Sequence, residues 1–182
     1  MSRLYLFMMI SLDGYIEGPN HDLSWHHVDK EFEEFANTQL KNTSLLLFGG
    51  RTYDLMASYW PNPQKNDDPK TAMLMNSASK IVVSKTIKNP TWENTKVLSN
   101  NIEEKLIKMK NNSSGDMGVF GSNILATYLL ENKLLDELRI MVNPIAIGKG
   151  TSLFTGLKNH TSFILQDTKL FKNGNILLTY KV

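Results

Sequence analysis

Arg51 stands directly behind an apolar run and two glycines, Leu45-Leu46-Leu47-Phe48-Gly49-Gly50-Arg51-Thr52. A strand-length apolar run that ends in glycine and reopens as a helix leaves bare backbone N–H groups where an anion can approach. A guanidinium adds a bidentate fork for phosphate oxygens that a lysine ammonium cannot copy. Only Arg3, Arg51 and Arg139 are arginines among 20 basic residues. Gly49, Gly50, Arg51 and Thr52 are therefore candidate ligands of a dinucleotide phosphate. The competing reading is a plain strand-to-helix corner whose arginine caps a neighbouring carbonyl.

Three more strand exits carry polar or glycine-rich residues. In Phe120-Gly121-Ser122-Asn123-Ile124 a helix follows the glycine, so its N-terminus would face a pyrophosphate, with Ser122 and Asn123 as donors. The segment is not G-x-G-x-x-G, and no acidic residue stands where a Rossmann unit would bind ribose. An N-cap serine on a surface helix is the alternative. Ser84-Lys85 follows Ile81-Val82-Val83, and a lysine beside Arg51 would suit a ribose 2'-phosphate, hence NADPH in place of NADH. A solvated strand-end lysine is the commoner fate. Ser11-Leu12-Asp13-Gly14 places a carboxylate at the first exit, as a candidate proton donor or as a turn residue binding its own backbone.

Periodicity along the chain gives the strands and helices that carry these residues. The chain has 182 residues, 41% of them hydrophobic, enough for one core and one domain spanning 1–182. Strands are expected from Met1 to Ile10 and at 45–48, 81–83, 97–98, 117–120 and 138–142. Helices are expected at 29–41, from Thr52, and at 102–110 and 123–131. Pro61, Pro63 and Pro69 break the next stretch into an exposed loop before 71–75. Asn173-Gly174 between 163–171 and 176–182 predicts a two-residue hairpin. The pattern implies an α/β fold: a mostly parallel sheet flanked by helices and closed by an antiparallel pair. Ligands in such sheets sit beyond the carboxyl ends of the strands, where all four exits fall.

Composition excludes several classes. A net charge of +2, with lysines spread along the chain and no basic stripe, speaks against nucleic acid as partner. The absence of cysteine removes a disulfide framework, a thiol nucleophile and a Cys-based zinc site, and fits a reducing compartment. The opening apolar run is too short for a signal peptide or membrane span, so a cytoplasmic location is expected. His21, His26 and His27 lie near Asp22 and Asp29 without helix-spaced metal pairing, so no metal is expected. His26 and Trp25 are better candidates for lining a substrate pocket, together with Phe32 and Phe35 of the following helix.

Taken in order, Ser11-Leu12-Asp13-Gly14-Tyr15-Ile16, Gly49-Gly50-Arg51-Thr52-Tyr53, Val82-Val83-Ser84, Gly121-Ser122, Leu135-Asp136-Glu137-Leu138-Arg139-Ile140, Pro144 to Gly150 and Leu153-Phe154 resemble the dihydrofolate-reductase-like family. The similar branch is that of the riboflavin-biosynthesis reductase (RibD C-terminal) domain and its free-standing bacterial relatives. The resemblance implies a sheet of about eight strands, NADPH as cofactor, a small-molecule substrate and often a homodimer. It implies that the Ile16 backbone meets the nicotinamide under a loop over 18–25 that acts as a lid. It further implies that Arg51 and Thr52 hold adenosine-side phosphates, Ser84 and Lys85 the adenosine ribose end, and Gly121, Ser122 and Asn123 the pyrophosphate. Several family members carry two glycines where this chain has Gly121-Ser122.

Folate reductases carry a carboxylate five positions after a tryptophan, and here that count from Trp25 lands on Lys30. Aligned on the helix pattern, Glu31 takes the place, beside Phe32 and one turn before Phe35. Glu31 is then a candidate acid against aromatics, or a helix-start acid favoured by the dipole. The expected activity is hydride transfer from NADPH to a small heterocycle of the riboflavin-biosynthesis type. Dihydrofolate or pterin reduction is the alternative, and a non-catalytic dinucleotide-binding homodimer is the alternative of another class.

Overall fold

A computed structural model describes residues 2–65 and 68–182. The strand β1 (Leu4–Ser11) is followed by a short strand β2 (Tyr15–Glu17), the helix α1 (Lys30–Lys41), β3 (Thr43–Gly49), α2 (Gly50–Tyr59) and α3 (Pro69–Ser77). Then come β4 (Lys80–Val83), β5 (Thr95–Leu98), α4 (Ile102–Asn112), β6 (Asp116–Phe120), α5 (Asn123–Glu131) and β7 (Glu137–Asn143). The two-residue β8 (Thr151–Ser152) precedes the closing pair β9 (Ile164–Leu170) and β10 (Ile176–Lys181).

Eight strands form one sheet in the order β5-β4-β3-β6-β1-β7-β10-β9. The first six of that order pair in parallel, and β10 is antiparallel to both neighbours. Alternate residues of β1 serve opposite faces, as strand geometry requires. Leu4, Leu6 and Met8 pack with Leu106 of α4 and Leu125, Ala126 and Leu129 of α5. Tyr5, Phe7 and Met9 face Phe32 and Phe35 of α1 together with Phe171. Leu46 and Phe48 of β3 meet Tyr53 of α2 and Met75 of α3. Both faces are therefore covered, which is why the parallel strands read as continuous apolar runs.

The chain runs outward from β3 through β4 to β5, returns to place β6 between β3 and β1, and only then builds the other half. This reversal is a topological switch point, and it brings the exits of β4, β3, β6 and β1 side by side.

Several expectations need correction. The second helix opens at Gly50 and not at Thr52, because Gly49 already has extended geometry and acts as its N-cap. Pro69 belongs to α3 and not to the preceding loop. It sits in the first turn, where its missing N–H costs nothing, behind the capping carboxylate of Asp68. Residues 66 and 67 of that expected loop, and Met1 of the expected first strand, lie outside the described residues. The terminal hairpin has three loop residues, not two. Gly174 N donates to Phe171 O at 3.0 Å and Phe171 N to Asn175 O at 2.9 Å, with φ +88° at Gly174 but no positive φ at Asn173. A type I turn followed by a left-handed glycine is the three-residue solution. The ribbon of β2 and β8 is new, since two- and three-residue strands carry no periodicity to read. Among the described residues no helix is long and apolar enough to cross a membrane.

Candidate active site

Contacts between the strand exits are close enough to need glycine. A Cβ on Gly49 would come within 2.4 Å of Ser122 Oγ, and one on Gly121 within 2.8 Å of Thr52 Cγ2. One on Gly50 would lie 3.2 Å from Ser84 Oγ. Gly49, Gly50, Thr52, Ser84, Gly121 and Ser122 thus form one continuous rim, as their separate motifs suggested. Two helix N-termini open onto it. The first turn of α2 has no side-chain cap, so its amides remain available as donors. At α5 the Ser122 hydroxyl accepts from Leu125 N at 3.2 Å, leaving the amides of Asn123 and Ile124 ahead of it.

Ser122 holds φ +65° and ψ +97°, next to Gly121 at φ +75°, with a trans peptide between them. A non-glycine residue in that region is strained by about 1–3 kcal/mol, and such strain gathers at ligand sites. Ser84 Oγ accepts from the amides of Thr86 and Ile87 at 3.2 Å each, which fixes the turn that carries the exposed Lys85. Phe120, half-buried, packs between Phe7 and Phe48, while Ile124 is 78% exposed at the start of α5.

At the β1 exit Asp13 acts as a clamp. It accepts from the Ser11 hydroxyl at 2.6 Å and from the amides of Ile147 and Gly148 at 3.1 Å and 2.7 Å, tying the loop after β7 to the turn after β1. The Ser11 hydrogen bond foremost, and then those two amides, hold its carboxyl below the usual value. It is therefore a carboxylate near neutral pH, the wrong form to donate a proton. Ile16 follows in β2 at an irregularity of the ladder: Tyr15 pairs with Ser152 and Glu17 with Thr151, so Ile16 is the extra residue and is left out of the pairing. Its apolar side chain is buried in the main core.

Arg51 is not idle. Its Nη2 donates to Glu17 Oε1 at 2.5 Å, an ion pair that neither reading of the sequence included. Burial pushes the Glu17 carboxyl up, but hydrogen bonds from Thr151, Arg51 and His21 outweigh it and hold the group below the ordinary carboxylate value.

On the substrate side, Trp25 is buried, with its indole N–H donating to Asp22 O at 3.0 Å, so it anchors the loop over 18–25 from within. Its ring meets His26 edge-on at 4.5 Å. Burial drives the His26 imidazole down to about 4 against the opposing charge of Asp22, and its Nε2 is enclosed with no hydrogen-bond partner among the described residues. Phe32 and Phe35 lie 6.4 Å and 5.9 Å from Phe7, within the aromatic cluster on the α1 face of the sheet. Glu31 Oε2 accepts from the backbone N of Lys172 at 3.0 Å, which ties the start of α1 to the terminal hairpin. Asn143, fully buried at the β7 exit, accepts from His27 N at 2.9 Å, and Asn175 donates to His27 O at 2.8 Å. Sequence reasoning passed over Glu17, Asn143 and Asn175. Each has a partner distant in sequence, which no spacing along the chain predicts.

An open cavity of about 780 Å³ lies far from this rim, at the amino ends of β3, β4 and β5 beside α4. Concavity alone would point there. The rim is instead marked by backbone donors and glycine contacts.

Comparison with known proteins agrees over nearly the whole chain. A family model for the RibD C-terminal domain matches residues 3–177. The uncharacterized protein YyaP of Bacillus subtilis (strain 168) is 30% identical over 184 residues, covering 98% of this chain and 94% of YyaP. A solved structure from Shewanella sp. PV-4, described as a riboflavin biosynthesis protein, superposes with a TM-score of 0.77 at 21% identity, covering 98% of both chains. The diaminohydroxyphosphoribosylaminopyrimidine deaminase/5-amino-6-(5-phosphoribosylamino)uracil reductase of Thermotoga maritima gives 0.72 at 16% identity. It covers 99% of this chain, which spans 56% of that longer protein. The two solved structures share the fold, and the family match with the YyaP likeness decides membership: this chain belongs to the RibD C-terminal domain family.

Proposed function

We propose that the protein is an NADPH-dependent reductase that transfers hydride to a small heterocyclic substrate of the riboflavin-biosynthesis type, a 5-amino-6-(5-phosphoribosylamino)uracil-like compound. The observation that carries this reading is the convergence of Gly49, Gly50, Thr52, Ser84, Gly121 and Ser122 on one rim at the switch point of the sheet. The donor set suits a dinucleotide. The uncapped first turn of α2 and the N-terminus of α5 offer amides to phosphate oxygens, Arg51 and Lys85 offer charge, and Ile16 offers backbone groups free of the β2–β8 ladder. Bound there, NADPH would supply the hydride.

What this chain contributes is placement and exclusion of water. Asp13 positions the turn that carries Ile16 by clamping the loop at Ile147 and Gly148. Phe32 and Phe35 present an aromatic wall beside Phe7, and Trp25 fixes the loop at the mouth. Glu31 is the remaining carboxylate for proton supply, but its Oε2 is engaged by the hairpin amide of Lys172.

A dedicated folate reductase is disfavoured by that arrangement. Without a well-placed acid, pterin protonation loses typically 10² to 10⁴ in rate. We expect NADPH oxidation, followed by loss of nicotinamide absorbance, with a phosphoribosylaminopyrimidine, and weak or no turnover of dihydrofolate. A kcat of about 10 s⁻¹ on dihydrofolate, the ordinary enzyme median, together with its abolition in Glu31→Gln, would establish folate reduction instead. NADPH binding without oxidation by any member of a pyrimidine, pterin and carbonyl panel would favour a non-catalytic binding protein.

A further inference from the structure

Glu17 is a rigidly held carboxylate facing the arginine of the rim. Its backbone is fixed by pairing with Thr151 and by Gly150, where a Cβ would come within 2.0 Å of Glu17 O. Its side chain is only 10% exposed, whereas that of Arg51 is 60% exposed. Besides Arg51, Oε1 accepts from the Thr151 hydroxyl at 2.7 Å, and Oε2 lies 3.1 Å from His21 Nδ1. The other two arginines are committed elsewhere, to Asp116 and Glu137 at the amino ends of the strands.

We infer that Glu17 is a built-in anion that holds Arg51 in place of a ligand phosphate and so sets how strongly the site distinguishes a phosphorylated dinucleotide from its unphosphorylated counterpart. This rests on the dinucleotide reading above. A guanidinium engaged by a carboxylate must give up that charge-assisted bond before it can grip a phosphate with the same fork, so the phosphate gains only the difference between two similar interactions. The exchange is feasible because the exposed arginine is the partner that moves. Glu17 retains Thr151 and His21 when Arg51 leaves, so no bare buried charge is stranded. Glu17 thus acts through Arg51 as a specificity-determining residue.

Calorimetry of NADPH and NADH binding to the wild-type chain and to Glu17→Gln tests this. The amide keeps the shape and can still accept from Thr151 while losing the charge. NADPH affinity should rise about tenfold, the scale of one charge-assisted hydrogen bond, with NADH affinity unchanged, and the same substitution in an Arg51→Ala background should shift neither. Binding of NADPH by the wild type with an unchanged or smaller NADPH-to-NADH ratio in Glu17→Gln overturns the inference and leaves the dinucleotide reading standing. Failure of both proteins to bind either dinucleotide overturns both. If Glu17→Gln does not fold, a structure of the wild type with 2',5'-ADP decides. Arg51 on the phosphate with Glu17 kept by Thr151 supports the exchange, and Arg51 still on Glu17 with the phosphate elsewhere refutes it.

Discussion

Arg51 and His26 show how one residue's chemistry depends on what the fold packs around it. Arg51 is the guanidinium of the rim, yet it is held by Glu17. Because Arg51 must leave Glu17 before it grips a phosphate, calorimetry should show Arg51→Ala costing less NADPH affinity in the wild type than in a Glu17→Gln background, where the loss should reach roughly 1–3 kcal/mol, the range for hydrogen bonds to charged groups; equal affinity with and without Arg51 in the Glu17→Gln background would remove Arg51 from the site. His26 carries the clearest pH signature. Burial lowers its pKa from 6.5 to about 4 in the folded chain. Between those values the unfolded chain binds a proton that the folded one does not, so stability declines as pH falls from about 6.5 to about 4 and this contribution levels off below. The loss is at most about 3 kcal/mol. His26→Phe keeps the ring against Trp25 and removes both the titration and the unpartnered Nε2. Urea unfolding across that pH range should therefore show a shallower slope for the variant, and identical slopes would refute the assignment.

At the scale of elements, the site depends on how closely β3 and β6 let their following helices approach. Gly49→Ala places a methyl group against Ser122, and overpacking of that kind costs about 1–3 kcal/mol. Ser122→Gly removes the offending atoms and relieves the positive φ, while the exchange of a serine cap for glycine costs only a few tenths of a kcal/mol. The double variant Gly49→Ala/Ser122→Gly should therefore melt close to wild type, well above Gly49→Ala alone. Strictly additive melting shifts would mean that the two exits do not share this contact. A similar dependence links β2 to β8, whose ribbon places both Ile16 and Glu17.

For the whole molecule, the sheet ends at β9, an exposed edge strand with Ile164 at 63% and Leu170 at 70% exposure. Its middle residues, Gln166 to Lys169, are polar, but the free ladder groups of an exposed edge strand can still pair with another chain. A second copy related by a two-fold axis satisfies both partners with one self-complementary surface. We expect a homodimer, and light scattering at micromolar protein that gives a mass near 20.7 kDa would reject it.

The eight-stranded sheet, the helices α1, α2, α4 and α5 and the four exits are legible in the residues because both signals are local, whereas α3 is hidden behind the prolines that precede it. Apolar runs such as Leu45 to Phe48 can be buried in few ways, and a glycine followed by a helix start marks an exit wherever it lies. Asn123 to Glu131 was read with its observed bounds for that reason. The hairpin at Asn173-Gly174 was placed correctly but one loop residue short, since the preference for glycine in a left-handed conformation is shared by two- and three-residue turns. Only the tertiary structure could show that Asp13 clamps Ile147 and Gly148, that Glu31 serves the hairpin, and that Arg51 already has a carboxylate partner. Hydrogen bonds and ion pairs act over about 3 Å in space and leave no periodic trace along the chain. Partners such as Glu17 and Arg51 become neighbours only after the whole sheet has set the distance between them.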